Sequence, residues 1–173
     1  MSQNRLKYDF YQRDVLIVAP ELLGKQIVRI LPGGIELRHF ITEVEAYKGT
    51  GDLACHASKG KTERNKVMFE QGGLVYVYLI YGMYWMLNVV TSVEENPEAV
   101  LIRGISDYSG PGRLTKHLLI DKSFYAEDLG ISSRIWIEDA GLAPKYSTTP
   151  RIGVDYAGPY WAKIPWRFVA DGL

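Results

Sequence analysis

Short stretches rich in apolar, β-branched and aromatic residues recur along the chain, and turn residues separate them. This pattern predicts a protein built largely from β-strands. The predicted strands span residues 26–31, 35–47, 74–81, 84–92, 99–105, 134–137, 152–154 and 167–169. Pro32-Gly33-Gly34 predicts a turn between the first two strands, and Gly82-Met83 predicts the turn of a later hairpin. Strands joined by such turns favour an antiparallel or mixed sheet.

Three short helices are predicted, one before the first strand and two between later strands. Asp14 is a suitable N-cap for a helix that begins at the next residue and stops before Gly24. Residues 62–69 predict a second helix. Pro111 favours the first position of a third helix, which is predicted to run to Ile120.

Length and composition indicate one folded domain. The 173 residues are enough to bury a core without disulfides or metal, and 47 % of them are hydrophobic. We therefore predict a single α+β domain over residues 1–173, with a sheet and helices packed on it. The sequence has no βαβ alternation and no glycine-rich phosphate loop, which argues against a nucleotide-cofactor fold.

The charge balance and the first residues narrow the functional classes. Twenty basic and 20 acidic residues give zero formal charge, which argues against nucleic-acid binding by bulk electrostatics but allows a local basic face. The start of the chain lacks the apolar run of a signal peptide. We expect an intracellular protein, in the cytoplasm or nucleoid of a prokaryote or in the nucleus of a eukaryote.

Residues 72–93 form an uncharged run that is long enough to cross a membrane. Tyrosines are frequent in this run, and a tyrosine hydroxyl at the centre of a bilayer would need a hydrogen-bond partner. The valine, isoleucine and tyrosine content is typical of strands. We therefore predict a soluble hairpin here and no membrane partner.

An acidic strand is the first candidate for chemistry. Strand alternation places Glu43, Glu45 and Tyr47 on one face and Val44 and Ala46 on the other. Composition alone favours a solvated face, because strand glutamates are usually exposed. The alternative is a carboxylate beside a ring that could hold a flat substrate, with the carboxylate as general base.

Cys55 and His56 are adjacent, which suggests a thiol hydrolase at first sight. Neighbouring side chains diverge, so we interpret Cys55 as a small buried hydrophobe. His56, taken alone, is typical of a core histidine with a hydrogen-bond partner. His39 and His117 stand alone in the sequence, and without ligand spacing no metal site is predicted.

A basic run follows, and it includes Lys61 and Arg64. Most runs of this kind are solvated surface. Its position immediately before a tyrosine-rich hairpin also fits phosphate contacts beside an aromatic probe.

The predicted hairpin carries an unusual tip. Tyr76 and Tyr78 share a face, which alone would indicate a half-buried sheet, whereas Tyr81 lies on the other side or at the tip. Tyr81, Met83 and Tyr84 place large apolar side chains on a turn, where polar residues normally occur. An exposed apolar tip indicates contact with another molecule, and side chains of this kind form wedges between base steps of DNA.

Taken together, these motifs resemble the 3-methyladenine (alkyladenine) DNA glycosylases, which repair alkylated purines. The resemblance runs from about residue 10 to the C-terminus and rests on eight motifs in order. They are residues 42–47, 52–56, 68–69, 76–84, 87–89, 101–103, 111–114 and 151–154.

The resemblance implies a curved antiparallel sheet with helices around it and a protruding hairpin that enters the minor groove. It implies that Glu45 activates water and that Arg103 lies near this carboxylate and the target phosphate. The residues implied for the base pocket are Tyr47, His56, Tyr76, Tyr78 and Asn88, with Asn88 disfavouring guanine. The residues implied for DNA intercalation and the minor groove are Tyr81, Met83 and Tyr84.

The implied protein is a monomer that acts on double-stranded DNA containing alkylated or deaminated purines. It needs no cofactor or metal, and it leaves an abasic site without cutting the strand. Two alternatives stay open at this point: a nucleic-acid-binding module without catalysis, and a hydrolase of free nucleosides that uses Glu45.

Overall fold

The sheet is organised by one long strand, β2, which runs from Glu36 to Lys48 in a computed structural model that describes residues 4–173. The other strands of this range are β1 Gln26–Ile30, β3 Val75–Ile80, β4 Tyr84–Thr91, β5 Glu98–Ile105, β6 Tyr108–Ser109, β7 Ile135–Glu138, β8 Tyr146–Thr149 and β9 Arg167–Ala170. The sheet order is β3-β4-β5-β2-β1-β7, with β6 on β5, β9 on β2 and β8 on β9. All of these pairs are antiparallel.

The two ends of β2 have different neighbours. Its first part pairs with β1, and its last part lies between β5 and β9. The register with β5 shifts on both sides of Glu43, which is the signature of a β-bulge. A bulge bends a strand and redirects its side chains. Glu45 follows this bend and is paired on both sides, with Leu101 and with Arg167, so its backbone is firmly held.

Four α-helices occur in the described range: α1 Tyr8–Tyr11, α2 Val15–Leu22, α3 Pro111–His117 and α4 Pro159–Lys163. The predicted cap of α2 is confirmed, because the Asp14 carboxylate accepts a hydrogen bond from the Leu16 N–H at 2.8 Å. A strand-rich sheet with separate helices confirms the predicted α+β class.

The core lies between the sheet and the helices α2 and α3. Fully buried side chains of Leu22 and Leu114, from the two helices, belong to the same cluster as Val44 and Ile102 of the sheet. Val44 and Ala46 of β2 point into this core. The alternation of β2 therefore turns Glu43, Glu45 and Tyr47 towards the other face, as predicted.

The uncharged run of residues 72–93 is the β3–β4 hairpin with its flanks. In residues 4–173, no helix is long and apolar enough to cross a membrane.

Two helix predictions were partly wrong. In the segment 62–69, only Lys66–Phe69 is helical, as a short 3₁₀ turn. The Asn65 side chain donates to the carbonyls of His56 and Gly60, at 3.1 and 3.0 Å, and so holds a loop instead of a helix start. Helix α3 ends at His117, before the predicted Ile120, because Leu119 takes a φ of +50°.

The late part of the chain also differs from the prediction. Residues 152–154 form no strand, because Gly153 has a φ of +77° and the Ile152 N–H bonds to a glutamate side chain instead of a neighbouring strand. The strands predicted at residues 134–137 and 167–169 are confirmed within one residue. Strands β6 and β8 and helices α1 and α4 were not predicted.

Candidate active site

A cavity of about 630 Å³ opens between the β3–β4 hairpin and the carboxyl-terminal half of β2. Much of its wall is aromatic: Tyr47, His56, Tyr76, Tyr78 and Tyr156. Asn88 and Arg103 add polar groups from β4 and β5. An apolar, ring-lined cavity with a few polar groups is typical of a site for a flat organic ligand.

Three of the aromatic side chains hold one another in place. A hydrogen bond of 2.9 Å joins His56 Nδ1 to the Tyr76 hydroxyl. The rings of His56 and Tyr78 have centroids 4.5 Å apart, and those of Tyr76 and Tyr78 are 5.2 Å apart. Tyr76 is almost completely buried. The predicted pocket residues are thus brought together as one wall.

His56 is a wall residue rather than a core residue, which corrects the interpretation from the sequence alone. The residue is exposed at the cavity, and the following Ala57 is buried. The protein groups packed around the imidazole, together with the charge of Arg64, lower the pKa of His56 to about 4. The imidazole is therefore neutral at pH 7 and serves as a hydrogen-bonding, uncharged part of the wall.

Cys55 is a buried hydrophobe, as predicted. It is only 2 % exposed, and burial raises the pKa of its thiol to about 12. A thiol in this state is a poor nucleophile, which argues against the thiol hydrolase.

Glu45 has no exposed surface and is held by two hydrogen-bond donors and a nearby arginine. Its Oε2 accepts from the Tyr47 hydroxyl at 2.7 Å, and its Oε1 accepts from the Ile152 N–H at 2.7 Å. Arg103 Nε lies 3.5 Å from Oε1. The solvated-face interpretation of this strand is therefore wrong for Glu45.

The environment of Glu45 also raises the pKa of its carboxyl group. Burial is the largest cause and outweighs the opposing effects of Arg103, the Ile152 N–H, the Tyr47 hydroxyl and Arg151. A raised pKa is characteristic of a carboxylate that accepts protons in a reaction.

Glu45 lies one layer behind the cavity surface. The three residues that hold it, Tyr47, Arg103 and Ile152, all line the cavity, whereas Glu45 is not among the described lining residues. A carboxylate has about four acceptor positions, so the two hydrogen bonds from Tyr47 and Ile152 leave room for a further donor such as water.

Arg103 links two carboxylates at the cavity wall. Its Nε donates to Glu43 Oε1 at 3.0 Å in addition to the longer contact with Glu45. Arg167 also donates to Glu43 Oε1, at 2.6 Å. Glu43 thus holds both arginines, and the Arg103 side chain keeps 13 % of its surface exposed. This places positive charge beside Glu45.

Asn88 lines the cavity from strand β4, next to the tyrosine wall. Its Nδ2 donates to the Tyr76 carbonyl at 3.1 Å, and the residue is 3 % exposed. The orientation of the amide is therefore fixed by the neighbouring strand. A fixed amide can discriminate between ligands by which hydrogen bonds it permits.

The tip of the hairpin is exposed, apolar and strained. Tyr81 is 88 % exposed and has a φ of +51°, and Gly82 follows with a φ of +65°. The Met83 N–H donates to the Ile80 carbonyl at 3.1 Å, which closes a type I′ turn. This turn favours Asn or Gly at the first position, so a tyrosine costs conformational energy. The tip therefore presents an exposed aromatic ring on a strained backbone.

The two basic residues singled out from the sequence have different surroundings. Arg64 lines the cavity, and its guanidinium lies 5.2 Å from the centre of the Tyr78 ring. Lys61 does not line that cavity; its amine pairs with Glu95 at 3.2 Å. The structure brings Arg64 to the site and leaves Lys61 outside the cavity wall.

Three contributors to the site were missed from the sequence. The Ile152 N–H, the Tyr156 ring and the buried Asp52–Arg151 ion pair beneath Tyr47 had no assigned role. Asp52, Arg151 and Ile152 belong to motifs that carry the resemblance. Their place in these motifs was the sign of a functional role that the sequence offered. Their contacts could not be predicted, because they join segments that are far apart in the chain.

Comparison with known proteins now identifies the family. The sequence profile described as methylpurine-DNA glycosylase matches residues 9–109 and 106–173. The chain belongs to this family. Membership makes it a DNA glycosylase of DNA repair and confirms the predicted resemblance.

Individual relatives agree with the family profile. A protein of Methanocella arvoryzae, named "Putative 3-methyladenine DNA glycosylase", is 46 % identical over 184 residues, covering 94 % of this chain and 90 % of the relative. A protein of Wolbachia pipientis wMel with the same name is 46 % identical, with 97 % and 92 % covered. One from Natranaerobius thermophilus is 40 % identical, with 95 % and 94 % covered.

We predict that His56 does not titrate between pH 5.5 and 8. Its lowered pKa keeps the imidazole neutral, so its NMR signals should stay constant over this range and move only as the pH falls towards about 4. A His56→Asn variant assigns the signals. A His56 transition near the ordinary histidine pKa would contradict the described wall.

Proposed function

We propose that this glycosylase flips an alkylated or deaminated purine out of duplex DNA into the aromatic cavity. Water activated by Glu45 then hydrolyses the N-glycosidic bond. The products are the free base and an abasic site, and the DNA strand stays intact. The enzyme acts as a monomer and uses no metal or organic cofactor.

One observation carries this proposal. A fully buried carboxylate of raised pKa, Glu45, lies one layer behind a ring-lined cavity and next to the positive charge of Arg103. This arrangement suits a general base that meets a cationic sugar. A module that only binds nucleic acid has no use for such a carboxylate.

The cavity wall favours electron-poor purines. Burial raises the pKa of Tyr47, Tyr76 and Tyr78, so their rings stay neutral at physiological pH. A base such as 3-methyladenine or 7-methylguanine carries positive charge and gains about 1–2 kcal/mol by cation–π attraction to such rings. Asn88, held by the Tyr76 carbonyl, would disfavour the exocyclic amine of undamaged guanine, which lacks the positive charge that favours 7-methylguanine.

For a purine that already carries positive charge, the chemistry needs one general base and little acid assistance. As the bond between C1′ and the purine nitrogen breaks, its electron pair leaves with the base and the sugar gains oxocarbenium character. Water attacks C1′, and Glu45 takes the proton of that water. Proton removal of this kind contributes about 10²–10⁴-fold to the rate, and the negative carboxylate also stabilises the cationic sugar.

Strand cleavage through a covalent imine would require an amine at the site. No lysine is found among the residues of the described chain that line the cavity. This composition supports a monofunctional enzyme.

The hairpin tip would stabilise the flipped state. Removing a base from the stack costs a few kcal/mol, and a side chain that fills the gap offsets part of that cost. Tyr81 is exposed, belongs to the cavity rim and is flanked by the exposed Met83 and Tyr84. We propose that Tyr81 enters the stack while Met83 and Tyr84 contact the minor groove.

We predict that Glu45→Gln lowers excision at least about 10²-fold, because the amide cannot accept the proton. The assay uses a duplex with one hypoxanthine, followed by alkali, which cuts at abasic sites. Wild-type protein should give a new band only after alkali. Binding of Glu45→Gln to the lesion duplex should stay within a few-fold of wild type.

Glu98→Gln is the matched control, since Glu98 is another buried glutamate and does not line the cavity. It should excise at the wild-type rate. Retained turnover by Glu45→Gln would remove Glu45 from its role. A band without alkali would indicate strand cleavage. Release of a base from free nucleosides alone would favour the nucleoside hydrolase, and binding without release would favour the binding module.

We predict that Tyr81→Asn removes the aromatic wedge and leaves the turn intact. Asparagine before Gly82 suits a type I′ turn, so thermal stability should be unchanged or slightly higher. Loss of the ring should reduce the preference for lesion over undamaged duplex about tenfold, in the range expected for one lost stacking contact. Equal losses of affinity for both duplexes would contradict the wedge.

We also propose that Arg64 and Lys61 contact phosphates beside the cavity. Removal of either side chain should then reduce the salt slope of DNA binding by up to about one unit. Titrations of Arg64→Ala and Lys61→Ala at several salt concentrations measure this slope. Arg134→Ala, which removes an arginine outside the cavity wall, is the control. An unchanged slope in both variants would show that neither side chain contacts a phosphate.

A further inference from the structure

A buried ion pair lies directly beneath the catalytic strand. The Arg151 side chain has no exposed surface, and that of Asp52 is 1 % exposed. Two parallel hydrogen bonds join them, from Nη1 to Oδ2 at 2.6 Å and from Nη2 to Oδ1 at 2.9 Å. A bidentate pair of this kind fixes both position and orientation.

Arg151 reaches Glu45 by two routes. The next residue, Ile152, donates its N–H to Glu45 Oε1 at 2.7 Å. The Arg151 guanidinium also donates to the carbonyl of Ala46 at 2.9 Å and lies 4.8 Å from the centre of the Tyr47 ring. Tyr47 in turn donates its hydroxyl to Glu45 Oε2. Both carboxylate oxygens of Glu45 therefore accept hydrogen bonds from groups that Arg151 holds in place.

Asp52 connects the same arginine to the pocket loop. Its Oδ2 accepts from the Lys48 N–H at 3.1 Å, at the end of β2. Its Oδ1 accepts from the Ala54 N–H at 3.0 Å, two residues before His56. The Asp52 carboxylate thus connects strand β2, the loop that carries His56 and, through Arg151, the segment that carries Ile152.

Stability is a weak reason for this arrangement. Burying two charges costs about as much as their attraction returns, and well-packed apolar residues often serve a fold as well or better. The Arg151 Nε is also buried without a hydrogen-bond partner in residues 4–173, which adds to the cost. What the pair supplies instead is exact placement of a backbone N–H and a ring next to Glu45.

We propose that Arg151, fixed by Asp52, is a positioning residue that sets the orientation of the Glu45 carboxylate for attack by water. This inference rests on the proposed function of Glu45. Arg151 does not line the cavity and acts through Ile152 and Tyr47. Misplacement of a catalytic group by about 1 Å can cost about 10²-fold in rate, so the placement of these two contacts matters.

The ionisation of Glu45 provides a second readout. The charged and titratable groups that act on it are Tyr47, Tyr78, Arg103, Arg151 and Tyr156. Glu43 and Arg167 lie beyond Arg103. Arg151 and the Ile152 N–H both favour the ionised carboxylate. Loosening them raises the pKa of Glu45, so the acid limb of the rate profile should move to higher pH, since a general base works only when deprotonated.

The test is Asp52→Asn, which keeps the size of the side chain and breaks the bidentate pair. Single-turnover excision of hypoxanthine from a duplex is measured from pH 5 to 8, together with lesion binding and thermal unfolding. We expect a rate constant about 10–100-fold lower, an acid limb at higher pH, and a Kd within about threefold of wild type. If Asp52→Asn does not fold, the same measurements are made on Arg151→Lys. This variant keeps the positive charge but cannot form the two parallel hydrogen bonds to Asp52.

Glu138→Gln is the matched control. Glu138 is also a buried carboxylate paired with an arginine, at 2.6 Å from Arg38, and it does not line the cavity. This variant should lose stability while its acid limb stays at the wild-type pH. Glu138→Gln therefore defines what a merely structural ion pair does.

The outcomes distinguish the positioning role of Arg151 from the proposed function of Glu45. An active wild type, with an Asp52→Asn variant that loses stability but keeps the wild-type rate and acid limb, would overturn the positioning role alone. Arg151→Lys with wild-type rate and acid limb would overturn it as well. A folded wild type that releases no base would overturn the proposed function, and the inference with it.

Discussion

A carboxylate removed completely from water is unfavourable unless other donors replace its hydration, and this constraint shapes the site around Glu45. The Tyr47 hydroxyl and the Ile152 N–H supply those donors, and Arg103 adds a positive charge 3.5 Å away. They leave the carboxyl pKa above its ordinary value, because burial remains the dominant effect. The proposed general base is thus held in one orientation, with a raised pKa that suits the uptake of a proton. Preorganised groups of this kind need little rearrangement during the reaction.

The fold meets the constraint by surrounding one stretch of β2 with elements from the whole chain. The bulge at Glu43 bends the strand, and β5 and β9 then pair with it on both sides. Strand β5 contributes Arg103, and the segment before α4 contributes Ile152. The β3–β4 hairpin supplies the tyrosine wall at its base and the strained Tyr81 at its tip. One hairpin therefore serves both the cavity and the surface that would meet DNA.

Features of the site that depend on neighbouring residues could be predicted from the sequence. Features that depend on contacts between distant residues could not. Strand alternation is a property of neighbouring residues, so it correctly placed Glu45 and Tyr47 on one face. The Asp52–Arg151 pair joins residues 99 positions apart, and no local pattern reports such a contact. For the same reason Ile152 was predicted to lie in a strand: its apolar side chain fits one, but its N–H is used by Glu45. Complete burial of a strand glutamate depends on the same distant groups.

The central claim is that Glu45 delivers water to the sugar although it lies one layer behind the cavity surface. A crystal structure with a duplex that carries an uncleavable, cationic analogue of the abasic sugar tests this most directly. The account predicts an ordered water within hydrogen-bonding distance of both the Glu45 carboxylate and the position of C1′, with Tyr81 in the base stack. A Glu45 still sealed behind Tyr47 and Ile152, with no water between it and the sugar, would contradict it.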